Sequence, residues 1–210
     1  MQLNFRRSKL PFSIFLLVGI SMLAVTASRS TAAPLAIGAS APAFTLKNVD
    51  GKNVSLSDYA DKPAVCVVFT CNHCPFAKAY EDRIIALQQE YASKGVQFVL
   101  INPNDPKIQP EDSFEKMQKR AQEKNYPFPY VIDETQDIAR AYGAFRTPEV
   151  YLLDKDRKLV YHGLIDDNTE VKDVKTHHLV NAIEHLLAGT QDQIDPKDTK
   201  AFGCTIKWKK

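Results

Sequence analysis

Two cysteines separated by two residues form the strongest chemical signal in the chain. The Cys-x-x-Cys motif at residues 71–74 follows an apolar run that ends at Thr70, and Pro75 comes directly after the second cysteine. Because proline is tolerated only in the first turn of a helix, we expect a helix to begin near Cys71. A helix N-terminus favours a thiolate, and a thiol two residues away can resolve a mixed disulfide. The motif therefore predicts thiol–disulfide chemistry.

Within the motif we assign Cys71 as the nucleophile and Cys74 as the resolving thiol. A protonated His73 would stabilise the thiolate and the reduced form, which shifts the couple in the oxidising direction. A structural disulfide and half of a zinc site are the alternatives. The sequence has no second Cys-x-x-Cys to complete a zinc site, so redox chemistry is favoured, and we expect no metal and no other cofactor.

The surrounding pattern predicts an α/β fold. Residues 64–70 and 96–101 are apolar runs typical of strands buried on both faces, and apolar residues spaced by three and four between them indicate a helix. Asp50-Gly51, between two short strand-like segments, indicates an N-terminal β-hairpin. Shorter strands are predicted at 130–132, 149–153 and 158–162, and helices from residue 110, at 135–142 and at 174–187. We expect a central mixed β-sheet flanked by helices.

Residues 1–33 have the layout of a secretory signal peptide with a short lead-in. Three basic residues precede an apolar run over residues 12–25, which is short for a membrane span, and small residues follow it. We expect cleavage after Ala27, with an uncleaved membrane anchor as the alternative. The sequence therefore predicts a redox domain at 34–190 and a C-terminal arm at 191–210. The protein is expected to be secreted or periplasmic, with no membrane attachment after cleavage.

The charge balance argues against nucleic acid as a partner. The chain of 210 residues has a formal net charge of +2, but residues 1–33 hold four basic residues and no acidic one. The remainder has 23 basic and 25 acidic residues, a net of −2. A domain with that balance lacks the positive surface that nucleic acids or anionic membranes require.

Two further cysteines lie outside the motif. Cys66 is inside the apolar strand, where a buried and inert thiol is the expected state. Cys204 lies in the C-terminal arm and is either a third redox thiol that exchanges with Cys71 or Cys74, or a free cysteine under the folded arm.

The sequence resembles the thioredoxin-fold redoxins, in particular the secreted thioredoxin-like and peroxiredoxin-like (alkyl hydroperoxide reductase/thiol-specific antioxidant) proteins. The resemblance rests on FTCNHCPFAKAYEDRI, AYGAFRTPEVYLLD, HGLIDDN and FGCTIKWK, and it covers nearly all of the chain after residue 33. It implies a thioredoxin-like fold in which Thr147 and Pro148 match the cis-proline position that faces the redox pair. Without the resemblance, Pro148 would be an ordinary proline at the start of a strand. The resemblance also implies cysteine-containing protein substrates and a redox partner protein.

The sequence departs from that family in three places. Thr70 stands where thioredoxins usually have an aromatic residue, and positions 65 and 77 offer no acidic proton acceptor near the pair. The peroxidase pattern Pro-x-x-x-Thr-x-x-Cys fails when counted back from either Cys71 or Cys74. Arg146 is the one nearby candidate for a peroxide-binding arginine.

Three functions follow from these residues. The favoured function is an extracytoplasmic thiol–disulfide oxidoreductase that exchanges disulfides with protein substrates. The alternative is a thiol-dependent, peroxide-reducing antioxidant enzyme. A copper-delivery protein that uses Cys71, Cys74 and a histidine as soft ligands ranks last, because such relatives space their cysteines by three residues.

Overall fold

The computed structural model of the chain describes residues 1–2 and 34–210, so the predicted apolar run and cleavage site lie outside the described residues. All of the helices and strands that follow lie within residues 34–210 and belong to one compact unit. Across the described residues, no helix combines the length and the apolar content needed to cross a membrane. The boundary predicted between a redox domain and an arm at residue 191 stays a prediction.

A mixed sheet of seven strands forms the centre of the described residues, in the order β2-β1-β5-β4-β3-β7-β8. Strands β3, β4 and β5 are parallel, whereas β7, β8 and the hairpin β1–β2 add to the sheet antiparallel. The central strands are buried on both faces, as their unbroken apolar sequences predict. The strands are β1 (Thr45–Asn48), β2 (Asn53–Ser55), β3 (Ala64–Phe69), β4 (Val96–Asn102), β5 (Tyr130–Ile132), β7 (Glu149–Leu153) and β8 (Leu159–Gly163).

Helices cover both faces of this sheet. One face packs against α1 (Pro75–Tyr91), α2 (Phe114–Lys124) and α4 (His178–Leu187). The opposite face packs against α3 (Asp137–Tyr142) and against Ile206 near the C-terminus. The predicted α/β architecture, a central mixed sheet with an N-terminal hairpin, is confirmed, and it is thioredoxin-like.

The predicted start of the helix that follows the Cys-x-x-Cys motif is wrong by four residues. Helix α1 begins at Pro75, and Cys74 is its N-cap residue in an extended conformation, with φ −65° and ψ 124°. A residue before proline is driven away from helical geometry by the proline ring, so the helix cannot extend back to Cys71. The first cysteine therefore lies in the loop between β3 and α1, and the second lies at the helix N-terminus.

The C-terminal segment returns to the active-site end of the fold. Strand β9 (Cys204–Thr205) pairs antiparallel with β6 (Arg146–Thr147), with Thr147 opposite Cys204. Gly203 allows this approach, because a Cβ atom there would lie 2.2 Å from the Thr147 carbonyl oxygen. The segment before the strand is tied to β8, where Thr199 N donates to His162 O at 2.9 Å.

Candidate active site

The two cysteines of the motif both contact Thr147, next to a cis peptide bond between Thr147 and Pro148. Cys71 Sγ lies 3.3 Å from Thr147 Oγ1, and Cys74 Sγ lies 3.2 Å from the Thr147 carbonyl oxygen. Cys71 is 5% exposed, whereas Cys74 has no exposed surface. The structure therefore brings together four of the predicted site residues, and both cysteines are free thiols.

His73 turns toward a buried carboxylate. Its Nδ1 atom lies 2.6 Å from Asp112 Oδ2. The other carboxylate oxygen accepts the amides of Asn72 and His73, at 2.7 Å and 3.1 Å, and Asn104 donates to Oδ2 at 2.7 Å. Asp112 therefore fixes the loop between the two cysteines from its position just before α2.

Sequence reasoning missed Asp112. The sequence positions considered for an acidic partner were 65 in β3 and 77 in α1, which hold Val65 and Ala77. The helix predicted from residue 110 places Asp112 in its first turn. In the structure residues 110–112 form a separate short turn, and α2 begins at Phe114 after Ser113 caps it. No local pattern distinguishes Asp112 from an ordinary acidic residue near a helix start, because its role depends on a contact 39 residues away.

The hydrogen-bond donors around the two sulfurs distribute one negative charge unequally. A hydrogen bond from the Cys71 thiol, assisted by donors from Cys204 and Ala77, outweighs burial and lowers the pKa of Cys74 to about 4. The same bond, together with burial and the charge of Asp112, raises the pKa of Cys71. With β9 in place, the charge is therefore held on the sulfur at the helix N-terminus, where the macrodipole also favours it.

Thr147 opposes this distribution. The Cys74 sulfur lies 3.2 Å from the Thr147 carbonyl oxygen, and this oxygen attracts the sulfur only while the sulfur carries a proton. The Thr147 hydroxyl, in contrast, can donate a hydrogen bond to a charged Cys71. We assign the charge to Cys74 in this arrangement because several donors outweigh one carbonyl, and two of those donors come from Cys204. Withdrawal of β9 would remove both Cys204 donors and shift the balance toward Cys71.

Cys71, His73 and Asp112 also have the donor atoms of a metal site. One donor atom from each lies within 4.8 Å of the others. A metal would have to displace the His73–Asp112 hydrogen bond, and Asp112 already accepts bonds from three other groups. The cluster as arranged serves hydrogen bonding.

Cys204, Cys66 and Arg146 are the remaining candidate residues. Cys204 is half-buried and packs against the cluster of Cys71, Cys74 and Ala77. Cys66 is fully buried inside β3, and burial raises the pKa of its thiol. Arg146, the candidate peroxide-binding residue, donates instead to the Gly203 carbonyl at 3.0 Å.

A dithiol that faces a cis-proline at the end of a mixed sheet defines the class of thioredoxin-fold redoxins. Residues 37–162 match the AhpC/TSA family, and the chain belongs to that family. The match covers the cysteine pair and Thr147-Pro148, and it ends before α4 and the C-terminal segment.

Three proteins of known sequence or structure are similar to this chain. An uncharacterized conserved protein from Geobacillus kaustophilus has a solved structure with 43% sequence identity and a TM-score of 0.78, over 83% of this chain and 93% of that one. Thiol-disulfide oxidoreductase ResA from Geobacillus thermodenitrificans (strain NG80-2) is 27% identical over 68% of this chain and 76% of its own. The chloroplastic peroxiredoxin Q of Gentiana triflora is 28% identical over 63% of this chain and 62% of its own.

Proposed function

We propose that this chain is an extracytoplasmic thiol–disulfide oxidoreductase that exchanges disulfides with cysteine-containing proteins through Cys71 and Cys74. The observation that carries the proposal is the placement of both sulfurs within 3.3 Å of Thr147, beside the cis peptide bond. The similarity to ResA supports the activity, and the signal-like residues 1–33 support the location.

The reaction begins when a substrate displaces β9 from β6. Cys71, the more exposed residue of the pair, attacks one sulfur of the substrate disulfide as a thiolate, held by the Thr147 hydroxyl and the Cys74 amide. The substrate S–S bond breaks, one substrate thiolate leaves and takes up a proton, and a mixed disulfide with Cys71 forms.

Cys74 then resolves the mixed disulfide. Its thiolate attacks the Cys71 sulfur, the second substrate thiolate leaves with a proton, and a Cys71–Cys74 disulfide remains. His73 and Asp112 position the loop that carries Cys71, and the Asp112 charge contributes to the raised pKa of Cys71. A dithiol partner protein reverses the sequence and restores the reduced pair.

Single cysteine variants test this function in an assay that follows reduction of a disulfide-containing protein such as insulin. We expect Cys71→Ser to abolish turnover and Cys74→Ser to accumulate a mixed disulfide with the substrate. Cys66→Ala is the matched control, because it removes a thiol that is buried in β3 away from the pair. Full turnover by Cys71→Ser would contradict the proposal.

The same variants separate the peroxide and copper alternatives. Thiol-dependent peroxide consumption that exceeds disulfide reduction and depends on Cys71 or Cys74 would favour the antioxidant function. Stoichiometric copper binding by the reduced chain, with loss of titratable thiols, would favour metal delivery.

A further inference from the structure

The chain places its own strand on the peptide edge that a substrate would use. Strand β6 is two residues long, and β9 occupies its free edge in antiparallel register. An extended peptide adds to such an edge through main-chain hydrogen bonds. The segment from Gly203 to Thr205 therefore binds as an internal peptide, with Cys204 directly opposite Thr147.

The position of this internal peptide is fixed on both sides of Cys204. Upstream, His162 Nδ1 lies 3.2 Å from Asp198 Oδ1, and the Leu164 amide donates to the Thr199 hydroxyl oxygen at 2.8 Å. Downstream, Ile206 is buried, and Lys207 N donates to Asn104 Oδ1 at 2.8 Å. Cys204 is thus anchored beside the cysteine pair.

We propose that Cys204 is a third redox thiol, which takes over the disulfide from the Cys71–Cys74 pair and presents it to the reducing partner. This inference rests on the proposed function. It adds a step that the Cys-x-x-Cys pair does not need, and it gives β9 a role in turnover.

The step is an internal disulfide exchange. After the substrate has been reduced, Cys204 loses its proton and attacks the Cys74 sulfur. The Cys74–Cys204 bond forms, the Cys71–Cys74 bond breaks, and Cys71 leaves as a thiolate that takes up the proton. No electrons enter or leave, because the substrate disulfide has already supplied the oxidation. A dithiol protein then reduces the Cys74–Cys204 disulfide.

The surroundings of Cys204 favour attack at the right moment. In the reduced chain, burial and the neighbouring Cys74 raise the pKa of Cys204 to about 11, so it stays protonated. Once Cys74 is part of a disulfide, its negative charge is gone, and the nearby Lys207 and Arg146 charges favour the Cys204 thiolate. The step also moves the disulfide outward, because Cys204, which is half-buried, replaces Cys71, which is 5% exposed.

Disulfide mapping by mass spectrometry, after equilibration in glutathione buffer and alkylation, tests the exchange. We expect the Cys71→Ser chain to form a Cys74–Cys204 disulfide within one chain, and the wild-type chain to yield both linkages. The relay is overturned if Cys71→Ser leaves Cys74 and Cys204 unlinked while Cys204→Ser still forms Cys71–Cys74. If Cys204→Ser forms no Cys71–Cys74 disulfide, the proposed function fails instead.

A glycine variant tests the position of the strand while all four thiols are retained. A Cβ atom at Gly203 would lie 2.2 Å from Thr147 O, so Gly203→Ala must push β9 away from β6. We expect at least about a tenfold lower yield of the Cys74–Cys204 disulfide, which corresponds to about 1.4 kcal/mol, and faster reduction of insulin. Gly38→Ala is the control, because a Cβ atom there meets nothing within 4 Å. An unchanged yield in Gly203→Ala would contradict delivery by β9.

Discussion

At the scale of single residues, Asp112 has the widest influence on the site. Its carboxylate is fully buried and accepts hydrogen bonds from two backbone amides of the motif, from His73 and from Asn104. A buried carboxylate is tolerated only when such donors replace its water shell. The residue therefore holds the loop in shape and places a negative charge beside Cys71 at the same time.

We predict that Asp112→Asn separates these two effects. The asparagine oxygen can still accept the two amides, but its NH₂ group faces the donor of Asn104, so the free energy of unfolding should fall by about 2–3 kcal/mol. The hydrogen bond with Cys74 and burial are the two largest causes of the raised Cys71 pKa, and the charge of Asp112 is the third. Loss of that charge therefore lowers the pKa of Cys71. Thiolate absorbance followed against pH measures this change.

Glu111→Gln is the matched control for Asp112→Asn. It removes one negative charge from the adjacent residue, whose side chain is exposed and pairs with Lys116. We expect its thiolate titration to match that of the wild-type chain. An equal change in both variants would mean that the effect is general electrostatics and not the buried contact.

A second buried carboxylate makes stability depend on pH. His162 Nε2 lies 2.8 Å from Glu149 Oε1. Burial lowers the pKa of His162, but hydrogen bonds and charges from Glu149 and Asp198 outweigh it, and the net pKa is above the ordinary 6.5. Burial raises the pKa of Glu149, but His162 and the amides of Phe145 and Arg146 outweigh it, and the net pKa is below 4.5.

We predict that this pair stabilises the fold most between about pH 4.5 and 6.5. The histidine contribution is complete below its unfolded pKa and is lost as the pH rises through the higher folded value. The glutamate contribution is lost as the pH falls through its lowered folded value. In urea unfolding from pH 5 to pH 9, the free energy of unfolding of the wild-type chain relative to that of His162→Gln should therefore decline. His185→Gln, whose ring bonds the Thr190 hydroxyl, should keep the decline.

At the scale of elements, local sequence patterns predicted the strands, the hairpin and the helices, because these depend on residues that are neighbours along the chain. The apolar runs of β3 and β4, the hairpin around Asp50-Gly51 and the spacing in α1 all depend on period and turn chemistry. The four-residue error at the start of α1 came from overlooking how Pro75 restricts Cys74. Asp112 and the β6–β9 pair could not be predicted in this way, because each joins segments that are far apart in the chain.

The approach of the C-terminal segment to β8 can be tested by adding one methyl group. A Cβ atom at Gly163 would lie 2.1 Å from both the carbonyl and the hydroxyl oxygen of Thr199. We predict that Gly163→Ala detaches residues 197–200 and costs about 1–3 kcal/mol more than Gly51→Ala, because a group that overpacks a fixed backbone forces it to move. Both glycines have positive φ, so the control shares the conformational strain.

Hydrogen exchange measures the result for Gly163→Ala. The Thr199 amide, which donates to His162 O, should lose protection in Gly163→Ala and keep it in Gly51→Ala. Equal protection in the two variants would show that the segment adjusts without leaving β8.

At the scale of the whole molecule, folding and redox chemistry are linked. Whatever stabilises the folded reduced chain over the folded oxidised chain also raises the reduction potential, because both differences belong to one thermodynamic cycle. In the reduced form, hydrogen bonds from Cys71, Cys204 and Ala77 lower the pKa of Cys74 and favour its thiolate. A disulfide between Cys71 and Cys74 is uncharged and accepts these hydrogen bonds less strongly. The free energy of folding is therefore more favourable for the reduced chain than for the oxidised chain.

We therefore predict that the reduced chain unfolds at higher denaturant concentration than the oxidised chain. The comparison is made in Cys204→Ser, where a single disulfide forms and the serine hydroxyl still donates to Cys74. Each difference of about 1.4 kcal/mol corresponds to about 30 mV toward the oxidising end. The potential from glutathione equilibration should exceed that of an unstructured Cys-x-x-Cys peptide by the matching amount. A more stable oxidised chain would instead make the protein an electron donor, and the thiolate at Cys74 would not be the group that sets its potential.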